Sequence, residues 1–128
     1  MKILESRSDI ELLVNEFYAK VRADSLIGPI FNEVAKVDWD EHLPKITNFW
    51  CDLVLGEDTY KGRPFPPHIP LNLQPSHFER WLSLFIETVD ANFKGQKADE
   101  IKSRALGIAR NFLGNIAYLQ KLKTEGET

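Results

Sequence analysis

The stretch from Tyr60 to Pro75, YKGRPFPPHIPLNLQP, constrains this chain more than any other. Five of its seven prolines lie there: Pro64, Pro66, Pro67, Pro70 and Pro75. Each proline fixes its own φ and removes a backbone donor. Each also pushes the preceding residue towards extended geometry. No long helix passes through such a segment, yet helical patterns flank it on both sides. His68 stands in its middle. Taken alone, the loop favours a plain connector with an incidental surface histidine. The alternative is a stiff loop that holds one imidazole at a fixed place, as a single metal bond requires.

Ser8 and Glu11 form a candidate capping box ahead of Ile10, Leu13, Val14, Phe17 and Val21, which share one helical stripe. This first helix should end near Asp24, and Gly28-Pro29 should then re-aim the chain into a short turn carrying Phe31. Tyr18 borders the stripe, where a half-buried ring with its hydroxyl in solvent is the common outcome. A second helix should begin near Asp40 or Glu41, with Pro44 in its first turn, and run to Leu55 with Gly56 as its cap. His42, Ile46, Phe49 and Leu53 then share a face, and Leu43, Trp50 and Val54 an adjacent one.

Pro75 suits the start of a third helix with Phe78, Trp81, Leu82, Phe85 and Val89 inward and Gly95 after its end. A fourth pattern runs from Ala98 to about Leu122, and the tail from Lys123 should fray. Gly107 and Gly114 lower helix propensity there unless a neighbour packs closely. No segment alternates with period two, so the expected class is all-α, with one domain over residues 1–128.

Composition narrows the function classes. The chain is 43% hydrophobic and 27% charged with net charge -3, as in a soluble globular protein. The cations are scattered, which argues against nucleic acid. There is no apolar run of signal-peptide or bilayer length. The single Cys51 fits a reducing compartment. A cytoplasmic monomer is the expectation.

The unusual feature is flat hydrophobic surface: eight Phe, three Trp and three Tyr. Three histidines far apart and one cysteine make a weak case for zinc. There is no phosphate-binding glycine loop and no local motif for nucleophilic catalysis. Phe31 and Phe49 offer apolar walls, while Tyr18, His42 and Trp81 are polar-tipped residues on three different helices. A planar apolar cofactor with one axial histidine accounts for both sets together, which is the logic of haem ligation. A haem-free helical interaction module, with the aromatics serving only as core, is the competing reading.

The sequence resembles the truncated haemoglobins, specifically the third of the bacterial groups. The likeness is carried by Phe17-Tyr18, Gly28-Pro29-Ile30-Phe31, Trp39-Asp-Glu-His42, Asn48-Phe49-Trp50, Tyr60-Lys-Gly-Arg-Pro64, His68 and Trp81. It implies a two-over-two helical globin fold holding haem b, His68 as the proximal iron ligand and Phe31 packed on the haem face. It implies Tyr18, His42 and Trp81 as distal polar residues, with Phe49 and Trp50 as the aromatic pair of the distal helix. Ile46 joins Phe49 in lining the pocket. Pro44 departs from the family pattern and leaves the direction of His42 open. Arg63, with Tyr60 or Lys61, is the candidate partner for the haem propionates, and ordinary surface charge is the alternative.

The implied ligands are O₂, CO, NO or peroxide. Donors in such a pocket favour tight O₂ binding and redox chemistry over bulk transport. The chain has no flavin or nicotinamide motif, so peroxidase-like or NO-dioxygenating turnover would need an external reductase. The residues do not separate turnover from binding.

Overall fold

The computed structural model describes residues 2–30, 39–57 and 74–126, with the side chains of the last helix described as far as Asn111. Its elements, in order, are β1 (Lys2–Ile3), α1 (Arg7–Ala23), α2 (Trp39–Leu55), α3 (Pro75–Asn92), β2 (Phe93–Lys94) and α4 (Gln96–Gly126). Phe31, Tyr60, Lys61, Arg63 and His68 lie outside the described residues.

α1 starts two residues earlier than its local pattern suggests. The N-cap is Ser6, not Ser8, and the box is closed by Asp9, not Glu11. The Asp9 carboxylate accepts from the backbone amides of Glu5 and Ser6, at 3.1 Å each, and pairs with Lys2 at 2.7 Å. Ser8-x-x-Glu11 offers the same local cap. Asp9 prevails because it also ties down the N-terminal segment, which pairs in parallel with β2 (Lys2 opposite Phe93, Ile3 opposite Lys94). This two-residue pairing has no periodic signature in the sequence. It leaves the class all-α, as expected.

Asp24 ends α1 and starts the turn. Its carboxylate accepts from the amides of Leu26 and Ile27, at 3.0 Å each, and its carbonyl accepts from Gly28 N–H at 3.0 Å. A Cβ at Gly28 would stand 2.8 Å from the Arg22 carbonyl oxygen, so this turn requires glycine.

α2 begins at Trp39, slightly ahead of the expected start, and Pro44 therefore sits inside the helix rather than in its first turn. Proline leaves the carbonyl four residues back without its helical donor. Here that residue is Asp40, on the exposed side where water can serve it. Gly56, at φ 73°, turns the chain out of α2, and Lys97 Nζ donates to the Val54 carbonyl at 2.9 Å. α3 opens with Pro75 after the Gln74 cap, as expected. α4 continues to Gly126, so the start of the tail is helical rather than frayed. A Cβ at Gly107 or Gly114 would meet nothing within 4 Å, so no described neighbour packs closely at either position.

α1 packs on α2, α3 packs on α4, and the two pairs are joined through α1 against α3 and α2 against α4. This is the two-over-two arrangement. Its core gathers Ile10, Leu13, Phe17 and Val21 from α1, Trp50 and Val54 from α2, Phe85 and Val89 from α3, and Ile101 and Ala105 from α4. Phe17 is the hub. It is fully buried and meets Tyr18, Trp81 and Phe85 edge-on at 4.7, 5.7 and 5.0 Å. Burying one such ring contributes about 2–3 kcal/mol, and truncation to Ala costs about 3–5 kcal/mol.

Candidate functional site

Tyr18 follows Phe17 on α1 and sits at the edge of the core stripe. It is 7% exposed, so the solvent-facing outcome does not hold. Burial pushes its phenol up to about 12, opposed by a hydrogen bond from the Trp81 side chain. The Trp81 indole of α3 and the Tyr18 phenol of α1 pack edge-on against the same Phe17 ring, at 5.7 and 4.7 Å. Tyr18 stays protonated at physiological pH, and a phenol oxygen can both donate and accept. In an apolar setting a hydrogen bond to such a group is stronger than in water.

Trp81 is held from two sides. Its ring stacks on Phe85 at 5.6 Å, and Phe85 stacks on Trp50 of α2 at 5.0 Å. Its neighbour Arg80 donates from Nε to Asp24 at 2.7 Å. Burial alone would raise the Asp24 carboxyl, but the Ile27 amide, the Arg80 guanidinium and the Leu26 amide together hold it below its usual range. The residue that shapes the end of α1 thus also fixes the register of α3. That register sets Trp81 against Phe17 and Phe85.

The third expected polar residue joins them through a ring. Trp39, the first residue of α2, lies 5.5 Å from Tyr18 and 5.9 Å from His42. The Arg22 guanidinium stands over the same ring at 5.1 Å, a contact of about 0.5–1 kcal/mol at an exposed site. Tyr18, Trp81 and His42 are thus brought to one end of the α1–α2–α3 junction. Sequence reasoning named Trp39 only as part of the family likeness and Asp24 only as the end of α1, and assigned no role at the site to either, or to Arg22 or Arg80. The i, i+3 spacing of Trp39 and His42 is a local signal for one pair, whereas Asp24–Arg80 spans 56 residues and has none.

The face of α2 below His42 divides in two. Trp50 and Val54 belong to the core, while His42, Ile46, Phe49 and Leu53 are only half-buried among the described residues. Phe49 and Trp50 touch edge-on at 5.4 Å. Apolar Ile46 and Phe49 therefore follow His42 along the same half-buried face of α2.

Among the described residues no group of three or more His, Cys, Asp or Glu could hold a metal ion. A multi-ligand centre is thus not formed there, whereas haem needs a single axial histidine. His77 has its Nδ1 engaged: it accepts from the Gln74 backbone amide at 2.9 Å, closing the cap of α3. A polar donor set flanked by apolar aromatic walls suits the two faces of a haem pocket.

The sequence matches the family described as bacterial-like globin over residues 4–112. The chain belongs to the bacterial-like globins. Within them it groups with the group III truncated haemoglobins. It is 39% identical over 111 residues to the group 3 truncated haemoglobin of Campylobacter jejuni, covering 84% of this chain and 87% of that protein. A group 1 truncated haemoglobin of a Nostoc species is 32% identical over 108 residues, covering 84% and 86%. The crystal structure of the Campylobacter jejuni group III truncated haemoglobin superposes with a TM-score of 0.81 at 37% identity, covering 91% of this chain and 95% of that one.

This globin is accordingly a haem-binding protein that takes a small ligand, and the haem-free reading falls away. Among the described residues no helix is long and apolar enough to cross a membrane.

Proposed function

We propose that this globin binds haem b and holds O₂, or a partly reduced oxygen or nitrogen species, at a polar distal site built from Tyr18, Trp81 and His42. The burial of Tyr18 beside the Trp81 indole, with both rings packed edge-on against Phe17 at 4.7 and 5.7 Å, carries this reading. A core needs no such pair, and a buried polar group without a partner costs about 1–3 kcal/mol. Haem, when bound, supplies an iron with an open coordination position where a diatomic ligand gains electron density. Tyr18 would offer its O–H as a hydrogen-bond donor towards that charge from a site with little water, where fixed donors act most strongly. Trp81 holds the phenol oxygen in place, and Ile46 and Phe49 exclude water beside it. His42 contributes a second donor or controls ligand approach.

His68 is the proximal ligand in this proposal. It stands at the family position, and His77 is engaged at the cap of α3. Phe31 packs on the haem face, and Arg63, with Tyr60 or Lys61, meets the propionates.

Such a site retains O₂ too well for bulk delivery and suits redox chemistry with O₂, NO or peroxide. The chain carries no flavin or nicotinamide motif, so an external reductase supplies electrons. The single cysteine suits a reducing cytoplasm, and one core suits a monomeric single domain. An absorption spectrum of the purified protein, oxidised, reduced and CO-bound, tests the cofactor. A haem b spectrum with a CO adduct is expected, and a protein that stays colourless after haem is added would overturn it.

A further inference from the structure

We infer that Trp39 is a fourth distal residue, a positioning residue that fixes Tyr18 and His42 relative to one another, with Arg22 clamping its outer face. Its ring touches both, at 5.5 Å and 5.9 Å. The contact to His42 is edge-on, with 74° between the planes, and the contact to Tyr18 is tilted at 46°. The Arg22 guanidinium lies 5.1 Å from the ring centre.

Arg22 and Tyr18 are four residues apart on α1, so they lie on one face of that helix. Trp39 and His42 are three apart on α2. One indole thus joins two successive turns of α1 to the first turn of α2, at the place where two proposed ligand contacts originate. Trp81 orients the Tyr18 hydroxyl from the α3 side; Trp39 restrains the phenol ring from the α2 side. A side chain held on both flanks loses the freedom that would let its hydroxyl turn away from a ligand.

The inference rests on the distal reading above, and the two fail differently. The test uses the haem-loaded protein with CO and O₂ as probes. For Trp39→Leu the C–O stretching band should split or broaden as Tyr18 and His42 gain alternative positions. O₂ dissociation should accelerate roughly threefold to tenfold, and this acceleration should vanish in a Tyr18→Phe background. Trp39→Met is the companion variant should Leu fail to hold haem, and Trp39→Phe, which restores a ring, should recover most of the single band. Arg22→Gln should broaden the band more weakly.

An unchanged band and unchanged O₂ dissociation in Trp39→Leu and Trp39→Met would overturn the inference while leaving the distal reading intact, provided Tyr18→Phe itself accelerates O₂ loss. Equal acceleration in both backgrounds would show that Trp39 acts on access alone, and would also overturn it. No effect of Tyr18→Phe would remove the distal reading and this inference with it.

Discussion

Tyr18 on α1 and Trp81 on α3 both pack edge-on against Phe17, at 4.7 and 5.7 Å, which sets the indole beside the buried phenol. An indole N–H can only donate, so beside a phenol oxygen it acts in series with Tyr18 rather than in parallel. Trp81→Phe should accelerate O₂ dissociation less than Tyr18→Phe does, because Trp81 acts through the phenol. The Trp81 effect should largely disappear once Tyr18 is Phe, a non-additivity expected of residues in one hydrogen-bond network. Stopped-flow dissociation rates for the two single variants and the double variant decide this. Additive logarithmic effects would mean that each donor reaches the ligand independently.

His68 and His77 are the rival proximal ligands. The His77 ring is occupied at the cap of α3, where its Nδ1 accepts from Gln74 N–H. His77→Ala should keep haem and lose a cap interaction, with a stability decrease of about 1 kcal/mol. His68→Ala should lose haem or bind it weakly, as its Soret absorbance would report. The reverse pattern would contradict the assignment.

Asp9 gives the chain an acid-sensitive latch. Burial alone would raise its carboxyl, but Lys2, the Glu5 and Ser6 amides and the Ser6 hydroxyl bring it down to about 2. An unfolded aspartate titrates near 3.9. A depressed carboxylate contributes stability that is fully present above the unfolded value and is lost as pH falls through the folded one. The melting temperature of Asp9→Asn should therefore lie below the parent's at pH 7, and the gap should close between about pH 4 and pH 2. A gap independent of pH would show that the Asp9 contribution is steric rather than ionic.

The inward stripes of α1, α3 and the first part of α4 follow from helical spacing, and the structure buries Phe17, Phe85, Val89 and Ile101 accordingly. Local signals chose wrongly where two candidates were equivalent. Ser8-x-x-Glu11 and Ser6-x-x-Asp9 are both boxes, and a distant partner, Lys2, separates them. Proline disfavours helix interiors and so points to a helix start, yet α2 accommodates Pro44 on an exposed face. For the site, sequence pointed to Tyr18, His42 and Trp81 one by one. It held nothing on the order of their contacts, because Trp39–Tyr18, Arg80–Asp24 and Trp50–Phe85 all join residues far apart in the chain.

The central claim is that Tyr18 stabilises a charged ligand by donating a hydrogen bond. O₂ takes up more negative charge than CO and gains more from a donor. One hydrogen bond of about 1.4 kcal/mol corresponds to a tenfold change in affinity, expressed mainly in the rate of ligand loss. The direct measurement is the dissociation rate of both gases from the reduced protein and from Tyr18→Phe. The account predicts that O₂ leaves Tyr18→Phe roughly tenfold faster, while CO dissociation is nearly unchanged. Equal acceleration of both gases, or of neither, would contradict it.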